Sequence, residues 1–586
     1  MAPGEGYYNR ANPDLLRRIP LAAQRVLEVG CGAGALAAAY RKRNPLVHYT
    51  GIESHPRAAE SARRACNIVI VGDIEHPRTL EVLDDSITGD RFDVLVLGDV
   101  LEHLRDPWST LKKLAERLTP ESVCVVCIPN VGHWSVVAGL LRGEWRYQDE
   151  GLLDRTHLRF FTLDSATALF RGAGLTVLDA SSRIMDSDQA ARIVPPLLDL
   201  APQLGTSRER MHTQLTAFQW VIRGQRKASN MTSLVVVGMG LRKQAGVNEA
   251  RVDYPLEALS AQPATDVSYS EARLEVPSNK PPGILLLHRR PPNVPAGQPG
   301  DPDSQYAAQL ERLAASGWVM VLDFDDDPRH FERNRLHDFF GFKAVHAVSA
   351  STEPLADLIR QWNPNVKVLP NAILELPEFA APVPKSRGRL RVFFGAINRQ
   401  GDWQSVADGI FPALSAAADE IECVVVHDRA FFDAIPDGVP KRFHGTATLP
   451  VYTRLLAECD VALLPLADTE FNRHKSDLKF IECCAAGVVP VCSPIVYAKH
   501  PEHAEIGVFA STSMEWRDRL GALLNTREEI HKRKVRGLAY VKQQRMHGSL
   551  VAEREAWYRA LLTQRDELEC ARQARITQSR PGGEEG

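Results

Sequence analysis

Residues Arg25 to Ala37 read RVLEVGCGAGALA, an apolar run that breaks into glycines at 30, 32 and 34 and then resumes with helical composition. Gly30, Gly32 and Gly34 let the backbone come close to a ligand, and a helix that follows such a turn aims its free N–H groups at an anionic group of a nucleotide-like cofactor. Glu28 stands two positions before the first glycine. A carboxylate there would repel a pyrophosphate, but it suits a cofactor with an ammonium group and no phosphate. Glu53 ends the next apolar run, where a carboxylate can accept both hydroxyls of a ribose. Asp73 ends the third, in VGDIE, placed for an adenine amino group, and the fourth ends in GDVLEHLRDP (98–107), which contains Asp99 and His103.

These features, in this order, resemble a class I S-adenosylmethionine (SAM)-dependent methyltransferase. The segment IPNVGHWSVVAGLLRGEWRYQDEGLLDRTHLRFFT (128–162) is similar to a subgroup of these enzymes found with bacterial polysaccharide and lipid-type substrates. The resemblance implies that this run forms the acceptor-side wall and that Tyr7, Tyr8 and Arg10 close over SAM. The methyl group leaves a cationic sulfur by in-line displacement, so positioning supplies most of the catalysis. An alcohol acceptor also benefits from a base titrating near neutrality, for which His157, His103 and His133 are candidates in that order. A structural hydrogen-bonding role is the competing reading of His157. For Arg159 the choice lies between an acidic acceptor and a structural ion pair.

Near the other end, FNRHKSDLKFIECCAAGVVPVCSP (471–494) resembles the donor segment of family-4-type retaining glycosyltransferases of the GT-B arrangement. The resemblance implies that Glu482 accepts the ribose hydroxyls of a nucleotide diphosphate sugar, with Gly487 and Pro490 in the turn beyond. The pattern has a second glutamate eight residues earlier, and His474 stands there instead, leaving its role unfilled or taken by Asp477 or His474 itself. Lys475 and Lys479, four apart, share one face if the segment is helical and can meet the diphosphate with Arg399 opposite, Lys479 being the catalytic cation; a solvated helix face is the plainer reading. In VLDFDDDPRHF (321–331), the pair Asp323 and Asp325 competes as a D-x-D metal site, but the two α/β lobes favour GT-B and no metal site is expected.

Positioning these residues requires three successive α/β cycles, each an alternation of apolar strand runs and helical segments. The expected fold is therefore α/β: a Rossmann-like methyltransferase domain over 1–228, then a two-lobed GT-B domain. Its acceptor-side lobe spans 229–384 and its donor-side lobe 385–565, with a disordered tail over 566–586. GQRKASNMTS (224–233) reads as a linker and PPNVPAGQPGDPDS (291–304) as a loop. The net charge of -3 gives no polycationic footprint for nucleic acid. No apolar run is long enough to span a bilayer. The ten cysteines are scattered, which fits a reducing cytoplasm; Cys124 and Cys127, three apart on a strand, face opposite sides and read as buried.

The function expected is SAM-dependent O-methylation of a sugar hydroxyl together with glycosyl transfer from a nucleotide sugar, on a glycan or lipid-linked glycan acceptor. The setting would be the cytoplasm, with peripheral association to the inner-membrane assembly machinery. Two alternatives stand beside it: a methyltransferase with a non-catalytic glycan-binding module, and a small-molecule, quinone-type methyltransferase.

Overall fold

Runs such as VLVLG and VVCI can be buried on both faces only where helices cover a largely parallel sheet, and the chain builds three sheets of this kind. The computed structural model describes residues 11–87, 91–185, 187–226, 232–240, 248–271, 274–277, 280–292, 294–295, 302–378, 388–397 and 399–579. Tyr7, Tyr8 and Arg10 lie outside the described residues, as do parts of the linker, the 291–304 loop and the tail. The chain divides into two compact units, Met1–Ser233 with Ser260–Ala264, and Leu234–Leu259 with Thr265–Gly586.

In the first unit, seven strands are ordered β3-β2-β1-β4-β5-β7-β6. They are β1 (Arg25–Val29), β2 (His48–Glu53), β3 (Ile68–Val71), β4 (Phe92–Gly98), β5 (Leu118–Pro129), β6 (Thr176–Arg183) and β7 (Gln219–Gln225). β1 to β5 run parallel, whereas β7 is antiparallel to both β5 and β6. The direction of winding reverses between β1 and β4, and ligands of open α/β sheets bind beyond the carboxyl ends of strands at such a switch point. Leu27, Val29, Leu95, Leu97, Val126 and Ile128 are central to the core on one face of this sheet. Cys124 and Cys127 are both fully buried.

The second unit holds two six-stranded sheets. The first lobe contains β8 (Leu234–Gly240), β9 (Thr265–Glu271), β10 (Ile284–His288), β11 (Val319–Phe324), β12 (Ala347–Ala350) and β13 (Val366–Val368). Its order is β13-β12-β11-β10-β8-β9, parallel throughout. The second lobe contains β14 (Leu390–Gly395), β15 (Ile421–Val426), β16 (Lys441–His444), β17 (Val461–Leu464), β18 (Val489–Cys492) and β19 (Val508–Phe509). Its order is β16-β15-β14-β17-β18-β19, again parallel. Two parallel Rossmann-like sheets in series are the build of GT-B glycosyltransferases.

The chain passes between these lobes at Ile373 and again near Met546, and the passages are tied together. The Ile373 N–H donates to the Arg545 carbonyl at 2.8 Å, and the His547 N–H donates to the Ile373 carbonyl at 2.9 Å. The region expected to be a tail from 566 is instead helical over Arg565–Gln578. The reason is burial: Arg572 is fully enclosed, donating to Glu311 at 2.7 and 2.8 Å and to Glu569 at 2.8 Å. Among the described residues no helix is long and apolar enough to cross a membrane.

Candidate functional sites

The first site is built on the turn after β1. Gly30 and Gly34 have φ of +71° and +82°, and a Cβ at Gly30 would lie 2.6 Å from Val100 Cγ2. Only glycine fits there without displacing the neighbouring loop. The Gly32 N–H donates to Glu53 at 2.8 Å, and the other carboxylate oxygen of Glu53 accepts the His55 N–H at 2.8 Å. Glu53 therefore sits beside the glycine turn, with β2 and β1 adjacent. Glu28 is placed differently: it is buried and accepts the Tyr49 hydroxyl at 2.9 Å. Burial pushes its carboxyl up to about 8, with the Tyr49 bond opposing and the Glu53 charge adding. Asp73 is exposed beyond β3 and accepts the Glu75 N–H at 2.9 Å.

Asp99, just past β4, holds a φ of +53°, a left-handed conformation rare for a residue other than glycine. Its carboxylate accepts the Gln219 amide, and burial pushes it up to about 6 against the opposing Arg183 charge and the Gln219 bond. The short turn Leu101–His103 follows. Glu102 is 1% exposed and neither carboxylate oxygen has a hydrogen-bond partner among the described residues, so burial, with Asp99 nearby, raises its carboxyl far above the usual range. Its backbone carbonyl accepts the N–H groups of Leu158 and Arg159, which draws the LDRTHLRFF segment onto the turn. His103 and His157 pack edge to face, ring centres 4.8 Å apart.

Each of these rings has Nδ1 at 3.2 Å from a backbone carbonyl, Thr156 for His103 and Leu152 for His157. A carbonyl partner places the proton on Nδ1 and makes Nε2 the acceptor nitrogen. Burial lowers both imidazoles below their ordinary value, so both are neutral at pH 7. Ligand-type atoms of Glu102, His103 and His157 lie within 4.8 Å of one another, close enough to share one cation. The sequence reading foresaw no metal set and singled out the histidines without Glu102. A wall of Trp145, Tyr147 and Phe160 adjoins His157.

Two other sequence candidates have structural tasks. His133 caps the helix Trp134–Leu141, with Nδ1 at 2.8 Å from the Ser135 hydroxyl. Arg159 donates to the Arg105 carbonyl and lies over the Trp108 ring, with no acid paired to it among the described residues.

In the second unit, Arg399, Lys475, Lys479 and Glu482 lie at the carboxyl edge of the second lobe, around the switch point between β14 and β17. Lys479 donates to Glu482 at 2.9 Å and to the Tyr452 hydroxyl at 3.2 Å. Glu482 and Tyr452 keep its ammonium charged despite burial. Arg399 pairs with Asp402 at 2.9 Å. Asp477, named as a stand-in for the absent glutamate, is committed to Arg545 through a forked pair at 2.5 and 2.8 Å. His474 has Nδ1 at 2.8 Å from the Glu470 carbonyl and 3.4 Å from Asp327 of the first lobe.

The competing pair Asp323 and Asp325 does not form a metal site. Asp323 is fully buried and accepts from Arg251 at 2.6 and 3.0 Å and Ser349 at 2.6 Å, with His288 Nδ1 at 3.0 Å. Arg251 and these neighbours hold its carboxyl well below the usual range against the burial. Asp325 meanwhile pairs with Arg289 at 2.6 Å. The lone pairs a metal would need are already taken.

A methyltransferase-domain family matches residues 5–180. A ubiquinone biosynthesis O-methyltransferase of Cereibacter sphaeroides is 29% identical over 175 residues, covering 30% of this chain and 68% of that protein. One of Aeromonas salmonicida is 26% identical over 161 residues, covering 28% and 66%. Among solved structures, Anabaena HepE in complex with UDP-glucose is similar at 14% identity and TM-score 0.38, over 55% of this chain and 100% of that one. The N-terminal region thus carries a methyltransferase domain, on a Rossmann-like sheet.

Proposed function

We propose that the chain is a two-activity transferase of glycan assembly. Its first domain, 1–228, transfers a methyl group from SAM to a sugar hydroxyl. Its second part, with lobes over 229–384 and 385–565, transfers a sugar from a nucleotide diphosphate sugar. The observation that carries the reading is the Glu102–His103–His157 cluster, at the same edge of the same sheet as the glycine turn. A hydroxyl must lose its proton as it attacks the methyl group, and a neutral imidazole with its Nε2 lone pair suits that step. Glu53, Asp73, Asp99 and the turn at Gly30, Gly32 and Gly34 serve SAM, and Glu28 lies beneath them. Arg399, Lys475, Lys479 and Glu482 serve the donor, the cations meeting diphosphate charge as it develops. The acceptor is a glycan or lipid-linked glycan at the cytoplasmic face of the inner membrane.

Methyl-labelled SAM supplied to the full chain with lipid-linked glycan and with a quinol precursor tests the first half. Label in the glycan is expected. Label confined to the quinol would establish the second reading, a small-molecule methyltransferase, which the similarity to ubiquinone-pathway enzymes favours. For the second half, turnover of a nucleotide sugar that is lost in Glu482→Ala is expected. Binding without turnover would make this half a glycan-binding module instead.

A further inference from the structure

The two lobes of the second unit meet through charge. Beyond β11, Asp326 and Asp327 face the segment 470–476 of the second lobe. Lys475 Nζ is 3.4 Å from Asp326, His474 is 3.4 Å from Asp327, and Arg329 pairs with Glu470 at 2.7 Å. Asp326 has two cationic partners. One oxygen meets Arg289 of its own lobe at 2.5 Å, and the other reaches across to Lys475 at the longer distance. The Lys475 side chain is 17% exposed, and the charge of Arg399 bears on it. Arg399 pairs with Asp402 of its own lobe and Lys475 with Asp326 of the other, the Asp402 charge bearing on Lys475 as well.

Resting on the donor-site reading above, we propose that Asp326 occupies, in the unliganded protein, the place on Lys475 that the diphosphate of a nucleoside diphosphate takes on binding. Donor binding is then an exchange of anions. The diphosphate takes Lys475 together with Arg399, and Asp326 withdraws to Arg289, which keeps its charge paired in both states. The long reach to Lys475 and the close pair with Arg289 make the exchange one-sided: only the weaker contact has to be given up. Asp326 is therefore a built-in competitor that sets how tightly the second half holds its donor nucleotide.

Calorimetric titration of the full chain with UDP, GDP, ADP and dTDP tests this. Asp326→Asn is expected to bind the preferred nucleotide about tenfold more tightly and Lys475→Met more weakly, and in the double variant the Asp326→Asn gain should vanish. Glu470→Gln, which removes a different contact between the lobes, should leave affinity unchanged. Wild-type binding with Asp326→Asn unchanged or weaker would overturn the exchange and leave the donor site standing. An equal gain in Glu470→Gln would also overturn it, because the effect would then be lobe opening. Absence of any nucleotide binding, in protein that still binds SAM and melts normally, would overturn the donor-site reading and the exchange with it.

Discussion

Glu102 carries a buried carboxyl group whose two oxygens find no hydrogen bond, beside two imidazoles held neutral. An isolated buried carboxyl is costly in either protonation state, and a divalent cation shared with His103 and His157 would resolve that cost. Such a cation lowers the pKa of a hydroxyl bound to it. With proton removal proposed at the imidazoles, we expect methyl transfer to survive EDTA; loss in EDTA restored by Mg²⁺ or Mn²⁺, and absent from Glu102→Gln, would move that step to a cation held by Glu102, His103 and His157. Activity indifferent to EDTA would assign proton removal to the imidazoles alone, and His157→Ala should then cost roughly 10²–10⁴-fold in rate. With the imidazoles as the base, both held below their ordinary 6.5 by burial, the acid limb of the pH–rate profile should fall below that value. Glu28 makes a separate prediction. Its carboxyl binds a proton more tightly in the folded protein (about 8) than at its ordinary 4.5, so stability falls as pH rises through that window. Melting of the first unit should show this decline between those limits, and Glu28→Gln should flatten it. Both histidines were legible from their motifs. Glu102 was not, since its partners arrive on a segment that includes Thr156, 53 residues beyond His103.

At the scale of elements, the turn after β1 is a backbone device. Gly30→Ala forces a Cβ into a left-handed residue, at about 1–2 kcal/mol, and against Val100 at 2.6 Å. Gly143 has a similar φ of +74° but nothing within 4 Å of the added carbon. Alanine at Gly143 should therefore cost only the strain, while alanine at Gly30 should also weaken SAM binding at least tenfold, as titration calorimetry would report. The central strands were readable because burial on both faces demands unbroken apolar runs, as in VLVLG and LVVVGMG. β9, β16 and β19 carry no such run, and each is an edge strand of its sheet. TDVSYSE, KRFH and VF are short or polar because one side of an edge needs no partner strand. Helical composition is legible over 549–573, but not that the helix is held in place as far as Gln578, for a related reason. RDELECARQARITQ is polar over most of its length, and its anchor is a buried ion pair rather than an apolar stripe.

For the molecule as a whole, that anchor joins the end of the chain to the first lobe of the second unit. Beside the Arg572 pairs, Arg575 donates to the carbonyls of Lys343 and Val345 at 3.1 and 2.8 Å, and His346 meets Glu569 at 2.9 Å. Arg572→Ala strands two partly exposed acids, and we expect a loss of about 2 kcal/mol. The readout is proteolytic cleavage within 565–578, which should quicken while the methyltransferase domain resists as before. The order of synthesis follows from the same contact. Glu311 meets Arg572 only after a further 261 residues have been added. The ribosome releases the methyltransferase sheet with β7 and can let it fold at once, whereas the next lobe gains this contact only after Arg572 is made. A stop before Arg572 would therefore damage a lobe whose own strands were all translated intact.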